Sequence, residues 1–195
     1  MGFTFTSPLT SDQFTSRLIN AMVHLRYTSP FTAADIQKGR HHAQLSSWVY
    51  KPPSSTAEAT KWATDTLRIV HASDVQKYTE QITYTPLKDT QIKGYRQFFF
   101  CHLLLNEENQ PHGLTIHASH AILDGPGALV ALKLLFRSIS HPPDTSGLDW
   151  SDQAKNLPPG PVKLTGGIRE GWEVDLPSIV KDFEEGFVAR QVCIR

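Results

Sequence analysis

From Phe98 to Leu105 the chain is almost unbroken apolar sequence: Phe98, Phe99, Phe100, Cys101, Leu103, Leu104 and Leu105. A run of this length and character predicts a strand covered on both faces, which requires further layers packed around it. The next eight residues, Asn106 to Gly113 (NEENQPHG), are polar and turn-forming, as a hairpin loop needs. Leu114 to His120 (LTIHASH) then alternates. Leu114, Ile116, Ala118 and His120 face one way, and Thr115, His117 and Ser119 face the other. A hairpin over residues 95–120 therefore belongs at the centre of a sheet. Helices must cover it, and the sequence supplies them.

Thr10-Ser-Asp-Gln13 fits a capping box, followed by Phe14, Leu18, Ile19, Met22 and Leu25 at helical spacing. This helix is expected to stop before Ser29-Pro30, because a residue preceding proline avoids the helical region. Ser55-Thr-Ala-Glu58 is a second capping box, opening a helix with the stripe Ala59, Trp62, Ala63, Leu67 and Val70. Between the two, Ala43 to Tyr50 reads as a short strand closed by Pro52-Pro53. Ala128 to Ile139 reads as a mostly apolar helix. From residue 140 to 167 the composition turns to proline and glycine, as in a linker, and Pro177 to Arg190 reads as a last amphipathic helix. The expected division is thus a lobe over 1–140 and a linker with C-terminal helix over 141–195. The fold class is α/β: a two-layer sandwich of a mixed β-sheet with helices on one face.

Hydrophobic residues make up 39% of 195, enough for a sizeable core. Nineteen basic residues balance 19 acidic ones, which removes the electrostatic basis for a broad nucleic-acid or anionic-membrane surface. Two cysteines, Cys101 and Cys193, make no disulfide framework, so a reducing compartment is expected. No apolar run reaches the roughly 18–20 residues of a membrane span. The N-terminus has neither the basic nor the apolar region of a secretory signal. The expectation is a cytoplasmic protein with no nucleic-acid or membrane partner.

Chemistry concentrates at His117-Ala-Ser-His120-Ala-Ile-Leu-Asp124-Gly125. A histidine at the end of a half-buried strand, one nitrogen held by backbone and the other open to a cleft, meets the needs of a general base near neutral pH. Asp124 is placed to cap the following helix, and Gly125 allows the tight turn.

His120-Ala-Ile-Leu-Asp124-Gly125 resembles the His-x-x-x-Asp-Gly signature of the chloramphenicol-acetyltransferase-like superfamily, which includes the plant BAHD-type acyltransferases and peptide-synthetase condensation domains. "LTIHASHAILDG", "GALVALKLLF", "HLRYTSPFTAADI" and "LSSWVYKPPSSTAEATKWATDTL" are most similar to fungal secondary-metabolism O-acyltransferases. The resemblance covers roughly residues 15–140. It implies an acyltransferase moving an acyl group from acyl-CoA to a hydroxyl of a small secondary metabolite. His120 would be the catalytic base. Asp124 would be structural, held through an arginine for which Arg96 is the candidate, and Gly125 would keep the turn open. No bound cofactor is implied, acyl-CoA being a co-substrate.

Two-lobed members of that superfamily are much longer, with a tunnel between the halves. Here about 70 residues follow Gly125, so the resemblance implies the N-terminal lobe alone. Single-lobed members complete their sites at subunit boundaries, which implies a homo-oligomer or a partner chain completing the site. The alternative is a truncated, non-catalytic lobe acting as a binding or interaction protein.

Competing chemistry is weaker. Strand alternation sends His117 and His120 to opposite faces, so with Asp124 they make no metal site. Ser119 diverges from its neighbour His120, and no Gly-x-Ser-x-Gly elbow exists. Cys101 lies inside an apolar strand, where burial makes a thiol inert. His41-His42 reads as a solvated loop pair, and Glu184-Glu185 as a solvated helix face.

Overall fold

The computed structural model describes residues 9–37, 47–85, 87, 91–92, 95–120 and 122–157. Helix α1 (Ser11–Thr28) opens with the expected capping box: Gln13 N–H donates to Thr10 Oγ1 at 3.2 Å, and Thr10 N–H donates to Gln13 Oε1 at 3.1 Å. Its stripe of Phe14, Leu18, Met22 and Leu25 is buried, and it ends at Ser29 as the following proline demands. A 3₁₀ turn (Pro30–Ala33) leads to β1 (Asp35–Gln37), which pairs antiparallel with β2 (Ser47–Val49). Of the strand expected over 43–50, residues 47–49 are extended and Tyr50 is not, and residues 38–46 lie outside the described set.

Helix α2 (Thr56–Thr66) is capped by Ser55, while the Glu58 carboxylate reaches back one residue further than a strict capping box, to Ser54 N–H and Oγ. Ala59, Trp62 and Ala63 are buried as expected, but the helix does not continue through Leu67 and Val70. It passes without a loop into β3 (Leu67–His71). Thr66 Oγ1 turns back onto the carbonyls of Trp62 and Ala63, and the Ile69-Val70 pair favours extended backbone. A five-residue parallel ladder with the central strand outweighs the helical spacing that Leu67 and Val70 share with α2.

Helix α3 (Val75–Thr83), capped by Asp74, is not among the helices expected above, although Val75, Tyr78 and Ile82 recur at helical spacing. Two short strands, β4 (Gln91–Ile92) and β5 (Tyr95–Arg96), pair with each other. Then come β6 (Phe99–Leu105) and β7 (Pro111–Ala118). The main sheet has the order β3-β6-β7, with β3 parallel and β7 antiparallel to β6. Every residue of β6 is buried, in agreement with its apolar run. Strand β7 begins three residues before and ends two residues before the stretch 114–120 that alternation marks. The loop is thereby cut to Asn106–Gln110, closed by the Asn106 side chain accepting from Glu108 and Gln110 N–H and by Asn109 at φ 58°.

Ladder register gives each face its residues. Leu67, Phe99, Cys101, Leu103, Leu105 and Leu114 join the core with α1, α2 and α4 (Gly125–Ser140). Arg68, Phe100, His102, Thr115 and His117 lie on the opposite face, against which α3 packs. The structure is thus the α/β sandwich with a mixed sheet that the sequence implies: three helices on one face, and α3 added to the other.

Residues 141–157 pack across α1 and α2 despite their linker-like composition. Trp150 is 6% exposed, stands edge-on to Tyr27 at 5.3 Å, and donates its indole N–H to Thr56 Oγ1 at 3.0 Å. Gln153 is completely buried, donating to the Arg26 carbonyl and paired with the Tyr50 hydroxyl. Asn20, Thr145 and Asn156 add further bonds between this segment and α1. A few polar and aromatic anchors hold backbone that carries almost no apolar run of its own. The amphipathic helix expected over 177–190 lies outside the described residues, as do His41, His42, Glu184, Glu185 and Cys193.

Candidate active site

The signature segment forms a strand–turn–helix unit. β7 stops at Ala118, and Ser119 N–H still reaches the Phe98 carbonyl at 2.8 Å. One tight turn follows, closed by Ile122 N–H and Leu123 N–H to the Ser119 carbonyl at 2.9 and 3.1 Å. Ile122 is buried, and Leu123 packs partly against the core. Both anchor the turn from beneath. Asp124 is the N-cap of α4: its Oδ1 accepts from Gly127 N–H at 2.7 Å, and its carbonyl accepts from Ala128 N–H at 2.8 Å.

His120 stands on the crest of this turn. Strand alternation placed it at the end of β7, partly desolvated. The strand is two residues shorter, and the imidazole is exposed, with no hydrogen bond from another described residue. Access for a reacting group is unobstructed by the described residues, whereas shielding from water is not supplied by them.

Asp124 is exposed, and its described side-chain bond is the cap. The ion pairs among the described residues are Lys61–Asp65 and Lys155–Asp152, so the arginine contact expected for Asp124 is not among them. The Arg96 side chain is outside the described set. Gly125 begins α4 with nothing within 4 Å of where a Cβ would stand. The glycine that the geometry needs is Gly127, where a Cβ would come within 2.8 Å of Asp124 Oδ1 and collide with the cap.

His117 lies on the α3 face of the sheet, away from His120, as alternation requires. Burial holds its pKa below the ordinary value, partly opposed by a hydrogen bond with the Thr85 backbone. Beside it, with ring centroids 5.9 Å apart, is His102. His102, the only polar residue in the run from 98 to 105, is not among the candidate residues above. Burial, with the charges of His117 and Arg68, lowers its pKa to about 4. Its Nδ1 pairs with the Tyr78 hydroxyl at 2.7 Å, while its Nε2 is buried with no partner. Cys101 is buried, and desolvation pushes its thiol up to about 12, which removes it as a nucleophile.

Arg26 is a second buried polar residue that the sequence did not announce. It is 6% exposed, lies over the Trp62 ring at 5.1 Å and near the Tyr50 ring at 5.9 Å, and donates to the Lys51 carbonyl. It ties α1 to the segment before α2. No described helix is long and apolar enough to cross a membrane.

No family model matches the chain, and no curated protein matches it. Among solved structures it is similar to the trichothecene 15-O-acetyltransferase of Fusarium sporotrichioides, with a TM-score of 0.64 and 17% sequence identity. The alignment covers 82% of this chain and 34% of that one, so this chain spans about a third of the neighbour's length. What the two share is a fold. This chain is built like one part of that neighbour.

Proposed function

We propose that this chain is the His120-bearing lobe of an O-acyltransferase that moves an acyl group from acyl-CoA to a hydroxyl of a small secondary metabolite. The observation that carries this reading is the exposed imidazole on an anchored strand–turn–helix unit, within a fold shared with an O-acetyltransferase. His120 takes the proton of the acceptor hydroxyl as its oxygen attacks the thioester carbonyl. The tetrahedral intermediate collapses, the C–S bond breaks, and the imidazolium returns the proton to the departing thiolate. Asp124 and Gly127 hold the turn and take no part in proton transfer.

The turn is open to water among the described residues, and the rest of the reaction channel comes from a protein surface beyond them. Leu129 and Val130, 63% and 59% exposed on the first turns of α4, mark where that surface docks. The experiment is release of free CoA thiol from acetyl-CoA by the purified chain, measured colorimetrically against a panel of small alcohols, with light scattering for assembly. His120→Ala should lower turnover about 10²–10⁴-fold, the usual worth of a general base. An unchanged rate ends the proposal.

The same exposed pair also supports a second reading, a non-catalytic lobe that binds a partner. Stable complex formation without thiol release by either the free or the assembled chain would select it.

A further inference from the structure

The face of the sheet under α3 carries chemistry that acyl transfer does not use. His102 on β6 and His117 on β7 are diagonal neighbours on one face of an antiparallel pair: Phe100 is opposite His117, and His102 is opposite Thr115. We propose that His102 and His117 form a two-imidazole site for a transition-metal ion of the zinc type, independent of the His120 turn.

Three observations carry it. The ring centroids are 5.9 Å apart, and two imidazoles sharing one metal at about 2.0–2.1 Å place theirs roughly 5–6.5 Å apart, depending on the N–metal–N angle. Each ring has one nitrogen occupied by an outer partner, Tyr78 Oη for His102 and the Thr85 backbone for His117, the arrangement that orients metal-bound histidines. The remaining nitrogen of His102, Nε2, is out of contact with water and without a hydrogen-bond partner on a side chain that is nine-tenths buried. An orphaned buried nitrogen costs stability unless something occupies it. Thr79 and Thr115, whose hydroxyls meet at 3.1 Å, close the α3 side of this polar layer.

Among the described residues no group of three or more His, Cys, Asp and Glu converges. The pair therefore supplies two ligands, leaving the other positions to water or a small anion. Arg68, directly across the ladder from His102, opposes a dication, though its guanidinium is engaged by the Asp65 and Leu67 carbonyls and the Phe100 ring. Its charge moderates the affinity.

The test is titration of the ¹⁵N-labelled full chain with Zn²⁺ at neutral pH, following the ring nitrogens of all nine histidines. His102 and His117 should respond first and together, saturating near one equivalent. Tyr78→Phe, which removes the outer partner, should weaken that binding about 10–100-fold. His117→Gln should abolish it, Arg68→Gln should tighten it, and His120→Ala should leave it unchanged. The proposal is overturned if other histidines respond while these two do not, or if Tyr78→Phe and His117→Gln, both folded by circular dichroism, bind as the parent does.

Discussion

Trp150→Ala tests whether residues 141–157 belong to the folded unit. The indole is 6% exposed and joins the main core. A tryptophan buries about 250 Å² at most, worth on the order of 6 kcal/mol at 25 cal/mol/Å². A compact unfolded chain already hides roughly 10–40% of that area, which brings the transfer part to about 4–5 kcal/mol. Alanine keeps its Cβ, whereas the lost bond to Thr56 leaves that hydroxyl seeking water, about 1 kcal/mol. The expected loss is therefore about 3–5 kcal/mol, the range usual for Trp→Ala in a core. With a urea slope of about 2 kcal/mol/M, the unfolding midpoint falls by roughly 1.5–2.5 M. Trp150→Phe, which keeps ring contacts and gives up the N–H bond, should cost about 1–2 kcal/mol. A loss below about 1 kcal/mol for Trp150→Ala would refute the reasoning and leave the segment a tether.

Three further outcomes are expected. Asp124→Ala should destabilise by about 0.5–2 kcal/mol as a lost N-cap, with Asp124→Asn near neutral, both read by thermal melting; Gly127→Ala should behave like the former because its Cβ displaces the carboxylate, while Gly125→Ala should be neutral or slightly stabilising. Because the His102 pKa falls to about 4 in the folded state, the unfolded chain binds more protons between pH 4 and 6.5. Stability should therefore rise with pH across that window by on the order of 2–3 kcal/mol, and the rise should flatten in His102→Gln when urea midpoints are compared. Gly113→Ala should cost about 1–3 kcal/mol, since its Cβ would lie 2.7 Å from Val75 Cγ2 and 3.2 Å from Leu104, and equilibrium unfolding measures it directly.

The parts legible in the sequence were those governed by local chemistry. Thr10, Ser55 and Asp124 cap their helices with their own side chains, so three or four residues suffice to read each start. The burial of β6 follows from its composition alone. What escaped reading depends on distant partners. β3 is extended because β6 lies beside it, 34 residues later in register, although Leu67 and Val70 also fit a helix. α3 went unread although Asp74, Val75, Tyr78 and Ile82 mark it, because the stripe is short and meets the sheet partly through Tyr78 and Thr79 hydroxyls. In the candidate site, the turn and the cap were readable. The exposure of His120 was not, because it depends on where β7 stops and what surrounds the turn. Gly127, the glycine under steric demand, was overshadowed by Gly125 in the more familiar position.

The packing of α1 against α4 and the 141–157 segment sets the order in which this chain completes itself during synthesis. Phe14, Leu18 and Met22 leave the ribosome early and α2 follows soon after, but the rest of their cover, α4 and Trp150, is encoded more than 100 residues later. At about 5–20 residues per second, an interval of about 130 residues leaves that apolar stripe incompletely covered for roughly 6–26 s. The β6–β7 hairpin, whose partners are adjacent in the chain, closes on a microsecond scale once both strands are out. A nascent chain thus carries a finished hairpin and an incompletely covered amphipathic helix until Gln153 emerges. Truncation before α4 releases a product whose first helix offers part of its greasy side to whatever chaperone, or neighbouring nascent chain, arrives first.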